Sequence, residues 1–387
     1  MRKGLACAVV VTAALGLASS ANASQRYIVE LDRATGAASD RSAAIDRRLA
    51  AWQGHVERSF DHAINGLVIR LPDGLPSNFR IPGAVSVSAD TTVTSQATQT
   101  SPPWGVDRID QASLPLSRTF TYTATGAGVK AYVIDSGIRP THADFGGRAR
   151  IGYDALGGNG VDCNGHGTHV AGTIGGATYG VAKAVSLVAV RALNCQGSAQ
   201  VSQIIAGIDW VIRDHASGQP AVANMSLGGA SNAALDTAVT NLINDGVSVA
   251  VAAGNGSGDA CGTSPAHVAP AITAAASDST DQFASFSNHG TCVDLIAPGV
   301  GVVSAGSSSD TATATYSGTS MASPHVAGAA ARLLQTNPAA TPAQIQTAVL
   351  EATAPDKIGA IRSTCRRVWW WYDCRVRTPN RLLQSFG

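Results

Sequence analysis

The sequence predicts an α/β protein: a mostly parallel central sheet with helices on both faces, preceded by a small α+β unit. Four runs, "VKAYVIDS", "LVAVRAL", "AVANMSL" and "VSVAVAAG", are apolar without alternation, as expected of strands covered on both sides. Amphipathic helices lie among them. Ile204, Ile205, Ile208, Val211 and Ile212 form one apolar face, and Leu235, Val239, Leu242 and Ile243 another. Strands and helices that alternate along the chain build a parallel sheet, and ligands bind such sheets beyond the carboxyl ends of the strands. The third observation is a change of charge. Residues 24–96 hold eight Arg and eight Asp/Glu among 73 residues and no cysteine, whereas residues 97–387 are about half as charged and hold six cysteines.

Taken from the start, Arg2 and Lys3 precede an apolar run from Leu5 to Leu17, and Ala21-Asn22-Ala23 fits an A-x-A cleavage site. This reads as an export signal over 1–23, so the protein is expected to be secreted. No stretch reaches the roughly 20 apolar residues that a membrane helix needs, so no membrane anchor is expected. With Cys7 in the signal, Cys163, Cys195, Cys261, Cys292, Cys365 and Cys374 remain, an even set compatible with disulfides in fifteen pairings. In the small unit "RYIVEL", "HVERSF", "GLVIRL" and "VSVSADTTV" read as strands. "ASDRSAAIDRRLAAW" reads as a helix and residues 73–80 as a second, short one. Together they give a β-α-β-β-α-β, ferredoxin-like order. The large unit, near neutral in charge, shows no nucleic-acid footprint.

Four polar residues fall where an α/β sheet collects its site. Asp135 ends the strand "AYVIDS" and His166 opens the helix in "DCNGHGTHVAGTIGG". Asn255 ends the strand "VAVAAGN", and Ser320 opens the helix that carries Val326, Ala329, Ala330, Leu333 and Leu334. Singly, each reads as a turn former, a cap or a buried polar group. Jointly they are chemically complementary. A serine hydroxyl needs an imidazole to take its proton, the imidazole needs a carboxylate to fix its tautomer, and an amide donor can bind the oxyanion. His325, five residues after Ser320, points about 140° away on the same helix, so it is a decoy. His169 yields to His166 at the helix mouth.

At these residues the chain resembles the subtilisin-like serine proteases. The carriers are "VIDSGI", "NGHGTHVAGTI", "ANMSLGG", "AVAAGN" and "SGTSMASPHVAG", in the order Asp, His, Ser. "PPWGVDRIDQ", "LGGNGVDCNGHGTH", "SFSNHGTCVDLIAPG" and "TPNRLLQS" resemble the proteinase K subfamily, its aqualysin-type branch in particular. The resemblance implies a three-layer subtilisin-like fold over 97–387. In it Asp135 orients, His166 is general base and acid, Ser320 is nucleophile, and Asn255 is oxyanion donor. It further implies substrate edges at Gly197-Ser198-Ala199 and Ser226-Leu227-Gly228. A roomy pocket walled by Ala252, Ala253 and Gly254 suits apolar or aromatic residues before the cut. The family commonly has glycine where this chain has Ala199. Residues 24–96 resemble an inhibitory prosegment and folding aid, its tail Thr91 to Gln96 lying in the cleft and cut from Ala97. The protein is then a monomeric, autoprocessed zymogen acting on proteins and peptides.

Structural calcium is implied at Asp294 with the carbonyls of Ala269 and Ala271. A second site is implied at Asp107, Asp110 and Gln111, where further ligands are at best Ser117 and Thr119; no organic cofactor is implied. The resemblance pairs Cys163 with Cys195 and Cys261 with Cys292, which leaves Cys365 for Cys374. That last bridge closes a hairpin, "CRRVWWWYDC", whose tryptophans either pack on the body or form an accessory patch beside Arg366, Arg367 and Arg375. Two other functions remain open from the residues. One is a metal-dependent hydrolase using His166 and His169, which lacks the glutamate and the spacing of a zinc-protease helix. The other is an inactive binding protein on the same fold. "GAGVKA" precedes its strand, so it is not a dinucleotide loop, and no G-x-S-x-G surrounds Ser320.

Overall fold

The computed structural model describes residues 25–72, 74–90, 97–361, 363–368 and 371–385, with the strands Ser363–Val368 and Trp371–Arg377 as backbone alone. The expected signal peptide, the expected cleavage point after Gln96 and Trp369 and Trp370 fall outside these residues, as do the side chains of Cys365 and Cys374. The chain divides into two compact units, Met1–Thr94 and Ser95–Gly387.

The first unit contains β1 (Gln25–Leu31), α1 (Ala38–Leu49), β2 (His55–Phe60), β3 (Gly66–Leu71) and β4 (Ala84–Ala89). They form an antiparallel sheet in the order β2-β3-β1-β4. Alternation along β1 buries Tyr27, Val29 and Leu31 against Ile45 and Leu49 of α1. The short helix expected around 73–80 is not formed, and residues 74–83 are turns and irregular backbone. Pro72, Pro76 and Pro82 deny that stretch the amide donors of a helical ladder. Phe79 and Ile81 fill the core from the loop instead.

The second unit begins with β5 (Ala97–Thr100), α2 (Trp104–Arg108), β6 (Thr119–Tyr122), β7 (Lys130–Asp135) and β8 (Ala149–Asp154). Next come α3 (His166–Gly175), β9 (Ser186–Arg191), α4 (Val201–Asp214), β10 (Ala221–Met225), β11 (Gly229–Ala230) and α5 (Ala233–Asn244). They are followed by β12 (Ser248–Ala252), β13 (Thr263–Ser264), β14 (Ile272–Ser277), β15 (Leu295–Pro298), β16 (Val302–Ala305) and β17 (Thr313–Tyr316). The last elements are α6 (Thr319–Thr336), α7 (Pro342–Glu351), β18 (Ala354–Pro355), the hairpin β19 (Ser363–Val368) and β20 (Trp371–Arg377), and β21 (Arg381–Leu382).

Nine strands form one sheet in the order β18-β21-β15-β14-β12-β10-β7-β9-β8, parallel except between β18 and β21. Helices α3 and α6 cover one face and α4 and α5 the other, which explains why β10, β12 and β14 are buried along their whole length. From β7 the chain runs out to the edge strand β8, returns to β9 between the two, then crosses to β10 on the other side of β7 and continues the other way. The order therefore reverses at the carboxyl end of β7, the kind of place where open α/β sheets hold ligands. Asp135 is the last residue of β7. Buried on nearly all sides, with 14 of 18 residues inside, α6 runs through the centre. It approaches so closely that a Cβ on Gly328 would lie 2.6 Å from Val181 Cβ. Disulfides join Cys163 to Cys195 and Cys261 to Cys292.

Candidate active site

Asp135 is fully buried, and its carboxylate accepts the His166 Nδ1–H at 2.8 and 3.0 Å as well as the Ser136 amide at 2.7 Å. Because a carboxylate only accepts, Nδ1 carries the proton and Nε2 of a neutral ring is left with its lone pair. The approach of α3 to β7 depends on Gly167, where a Cβ would sit 2.1 Å from the Gly137 carbonyl. Burial would push the His166 pKa down, but the charge and hydrogen bond of Asp135 and the charge of Asp162 outweigh it, and the pKa is raised.

Ser320 is the second residue of α6, and its seat is set by a proline. Pro324 has no N–H to give the Ser320 carbonyl, so that carbonyl instead accepts Ser226 Oγ at 2.7 Å. Asn224 donates to the same hydroxyl at 2.8 Å and accepts Ser323 Oγ at 2.7 Å, which ties the first turns of α6 to the end of β10. Ser320 Oγ donates to the Ser226 carbonyl at 3.2 Å rather than to His166.

Asn255 follows β12 by three residues. Its Oδ1 accepts the Thr319 amide at 2.8 Å and the Thr319 hydroxyl at 3.0 Å, so the orientation of the side-chain amide is fixed. Nδ2 and the Ser320 N–H have no hydrogen bond among the described residues. Both border one space, since a Cβ on Gly318 would lie 3.4 Å from Asn255 Nδ2 and 3.6 Å from Ser320 N. Two donors and a helix start thus face the same small volume beside a hydroxyl, which is the requirement for holding an oxyanion.

A cavity of about 250 Å³ adjoins this point, lined by Leu227, Gly228, Ala252, Gly254, Thr263 and Asn288 together with Asn255 and Ser320. A similar cavity in the first unit, walled by Ala51, Trp52, Gln53, Gly74 and Pro76, carries no such chemistry. Gly254 is in the left-handed region (φ +103°), and a Cβ there would meet Asn288 Nδ2 at 2.4 Å. Ala253, expected in the pocket wall, instead packs its methyl in the core while its carbonyl accepts Asn288 Nδ2 at 2.9 Å. Asn288 Oδ1 also accepts the amides of Gly256 and Gly258, so it shapes the loop that carries Asn255. Sequence reasoning passed over Asn288, since it acts on a loop some 30 residues earlier. Of the expected substrate edges, Leu227 and Gly228 keep their backbone groups unpaired among the described residues. Ser198 is turned onto Asn194 through both its N–H and its C=O, and the Gly197 N–H donates to the Asn194 carbonyl at 2.9 Å. On this edge the Gly197 carbonyl and the backbone groups of Ala199 are therefore the ones left unpaired among the described residues.

The two other histidines of these helices are absorbed by the core. His325 is buried with Nδ1 on the Met321 carbonyl, and His169 is buried with Nε2 on the Val302 carbonyl; burial pushes both pKa values down to about 4. His166 and His169 thus offer no joint metal position. Among the described residues no three His, Cys, Asp or Glu side chains cluster to hold an ion.

The carbonyls expected to bind calcium with Asp294 converge on one point. Gln346 Nε2 donates to Ala269 O at 3.0 Å and Ala271 O at 3.2 Å. Burial pushes the Asp294 carboxyl up to about 6. At the second location Asp107 accepts Ser117 Oγ and the Arg118 amide, and Gln111 Oε1 accepts the Ser117 amide. Asp110 Oδ1 is buried without a partner, and burial raises that carboxyl's pKa.

Comparison with known proteins places this geometry among relatives. The model of peptidase family S8, the subtilase family, matches residues 126–387. The extracellular serine proteinase of Thermus sp. (strain Rt41A) is 53% identical over 315 residues, 81% of this chain and 76% of the relative. The alkaline serine exoprotease A of Vibrio alginolyticus is 46% identical over 334 residues, covering 84% of this chain and 62% of the relative. The crystal structure of a cold adapted subtilisin-like serine proteinase superposes with a TM-score of 0.68 at 48% identity. It covers 74% of this chain and all of that one.

Proposed function

Because the chain belongs to the subtilase family and is a serine endopeptidase, we propose that it cuts proteins through Ser320, His166 and Asp135 by an acyl-enzyme route. The observation that carries this reading is the Asp135–His166 pair at 2.8 Å, at the carboxyl end of β7. The packing of α3, which His166 opens, against α6, which carries Ser320 in its first turn, supports it. His166 Nε2 takes the Ser320 proton as Oγ adds to the scissile carbonyl. Asp135 holds the Nδ1–H and favours the imidazolium that results. The carbonyl oxygen, now negative, is received by Asn255 Nδ2 and the Ser320 N–H. As the tetrahedral adduct collapses, His166 returns the proton to the departing amine, leaving an ester on Ser320. Water then enters, gives its proton to His166, and releases the acid and the free hydroxyl by the same steps in reverse.

A substrate strand pairs with the open groups of Leu227 and Gly228 and with the Gly197–Ala199 edge, so recognition is mainly of backbone and specificity is broad. The pocket beside Ser320 has no charged lining residue, which supports a preference for apolar or aromatic residues before the cut. The protein is proposed to be secreted, in keeping with its extracellular relatives and its signal-like start. No helix among the described residues is long and apolar enough to cross a membrane. Residues 24–96 are proposed to act as an inhibitory folding aid in a self-processed, monomeric zymogen; the separate core of the first unit supports independent folding.

Calcium is proposed as a structural ion. Hard oxygen donors suit it. The carbonyls of Ala269 and Ala271, which converge on the Gln346 amide, support one ion, for which Asp294 is the proposed carboxylate, and the unpartnered Asp110 oxygen beside Asp107 and Gln111 supports a second. When bound, the ion supplies fixed positive charge that offsets buried carboxylates. The reading as a whole is tested with Ser320→Ala, which should lose on the order of 10⁶-fold in kcat, the scale known for subtilisin. Retained turnover would overturn it.

A further inference from the structure

We propose that Asp162, four residues before His166, is a positioning residue that locks the catalytic histidine to its orienting strand. The inference rests on His166 being the general base. Asp162 is buried and accepts five hydrogen bonds. Oδ1 takes Ser136 Oγ at 2.9 Å, the Asn164 amide at 2.9 Å and the Gly165 amide at 2.8 Å. Oδ2 takes the Thr168 amide at 2.9 Å and the Thr168 hydroxyl at 2.6 Å. A carboxylate has about four lone-pair sites, so this one is saturated with donors.

Its partners stand on both sides of the catalytic pair. Ser136 follows Asp135, gives its amide to Asp135 Oδ1 at 2.7 Å, and through Oγ accepts the amide of Gly167, next to His166, at 2.9 Å. Thr168 Oγ1 accepts the Arg139 amide at 3.0 Å, a second tie between α3 and the loop after β7. One carboxylate thereby fixes the turn that follows Asp135 and the first turn of α3 together. The groups around His166 that carry or change charge are Asp135 from β7, Asp162 from the preceding loop, His169 one turn along α3 and Tyr316 from β17, beside Gly165. Asp162 is thus a second carboxylate bearing on the ring, and it does not line the cavity beside Ser320.

The test compares Asp162→Asn and Ser136→Ala with wild type on a short chromogenic peptide, counting active sites with an acylating titrant. Asp162→Asn removes charge and turns an amide towards donors. Its kcat per titrated site should fall about 10–100-fold with KM unchanged. The acid limb of its kcat/KM profile should move down by about 0.5–1 pH unit, because a ring without that anion gives up its proton more readily. Ser136→Ala keeps the charge, so its acid limb stays in place while kcat falls by about 3–10-fold. An unmoved acid limb in Asp162→Asn, with activity lost only in proportion to titratable sites, makes Asp162 a helix cap and overturns the proposal. If Asp162→Asn does not fold, wild-type kcat in Ser136→Ala overturns it equally. Full activity in His166→Ala would instead show that the reading of the base had failed.

Discussion

His325 gives a prediction whose size follows from its surroundings. It lies on α6, fully enclosed, with Nδ1 on the Met321 carbonyl at 2.8 Å. Nε2 faces Gly105, where an added Cβ would come within 2.6 Å. Burial outweighs the hydrogen bond to the Met321 carbonyl, which favours the charged ring, and takes the pKa down to about 4 from 6.5. The unfolded chain takes up this proton near pH 6.5 and the folded chain only near pH 4. Stability is therefore complete above the unfolded value and drains away as pH falls between the two. The interval is about 2.5 pH units, or about 3 kcal/mol. The perturbation is His325→Gln, made in Ser320→Ala protein so that self-digestion does not interfere. Urea unfolding at pH 7.5 should find the variant less stable, through lost packing. At pH 4 the difference should have moved in the variant's favour by about 3 kcal/mol, because glutamine does not titrate. His169 and Asp294 also titrate in this window, but both proteins carry them and they cancel. If the difference between the two proteins is the same at both pH values to within about 1 kcal/mol, the argument from burial is wrong.

Asn255→Ala should cut kcat by about 10²–10³-fold with little change in KM, the scale known for the matching donor in subtilisin; wild-type turnover would remove Asn255 from the oxyanion site. Ser320→Ala protein should keep its prosegment after export, so mass spectrometry of the purified variant should find the chain starting near Ser24; a start near Ala97 would mean another protease makes the cut. Chelation should lower the melting temperature without abruptly stopping catalysis. Gln346→Ala, which frees the Ala269 and Ala271 carbonyls, should tighten calcium binding several-fold by calorimetry; unchanged affinity would show that the amide does not compete for that point. A cleavage-site library should favour apolar and aromatic residues before the cut, and a strong Arg or Lys preference would contradict the uncharged pocket.

The strands that the sequence revealed most clearly are those with several branched side chains, such as β7 and β9. By contrast β14, "ITAAAS", reads as a helix former by composition. Its alanines serve a different constraint, since α6 crosses this part of the sheet and small side chains let it sit close. The β-α-β-β-α-β pattern predicts a helix near residue 76, but Pro72, Pro76 and Pro82 remove amide donors there and the chain forms turns instead. Asp135, His166, Asn255 and Ser320 were visible because each sits where a strand ends or a helix begins, inside short motifs. Residues that seat them were not. Asn224, Ser226 and Ser323 act across about 100 residues of chain, and Asn288 shapes a loop on a different strand connection. Asp162 draws its five donors from Ser136, Asn164, Gly165 and Thr168, and no local motif marks such a convergence. Local patterns show which groups are at an edge, whereas contacts between distant segments decide what holds them there.

The central claim, that Ser320 is the nucleophile driven by His166, is tested most directly by covalent trapping. The processed enzyme is treated with a fluorophosphonate and digested, and the modified residue is located by mass spectrometry while activity is followed. The account predicts one adduct per molecule, on Ser320, forming in step with the loss of activity and absent from Ser320→Ala. It also predicts that His166→Ala slows labelling by orders of magnitude, since the hydroxyl then has no base. Full inactivation with the adduct elsewhere, or labelling of Ser320 at the wild-type rate without His166, would contradict it.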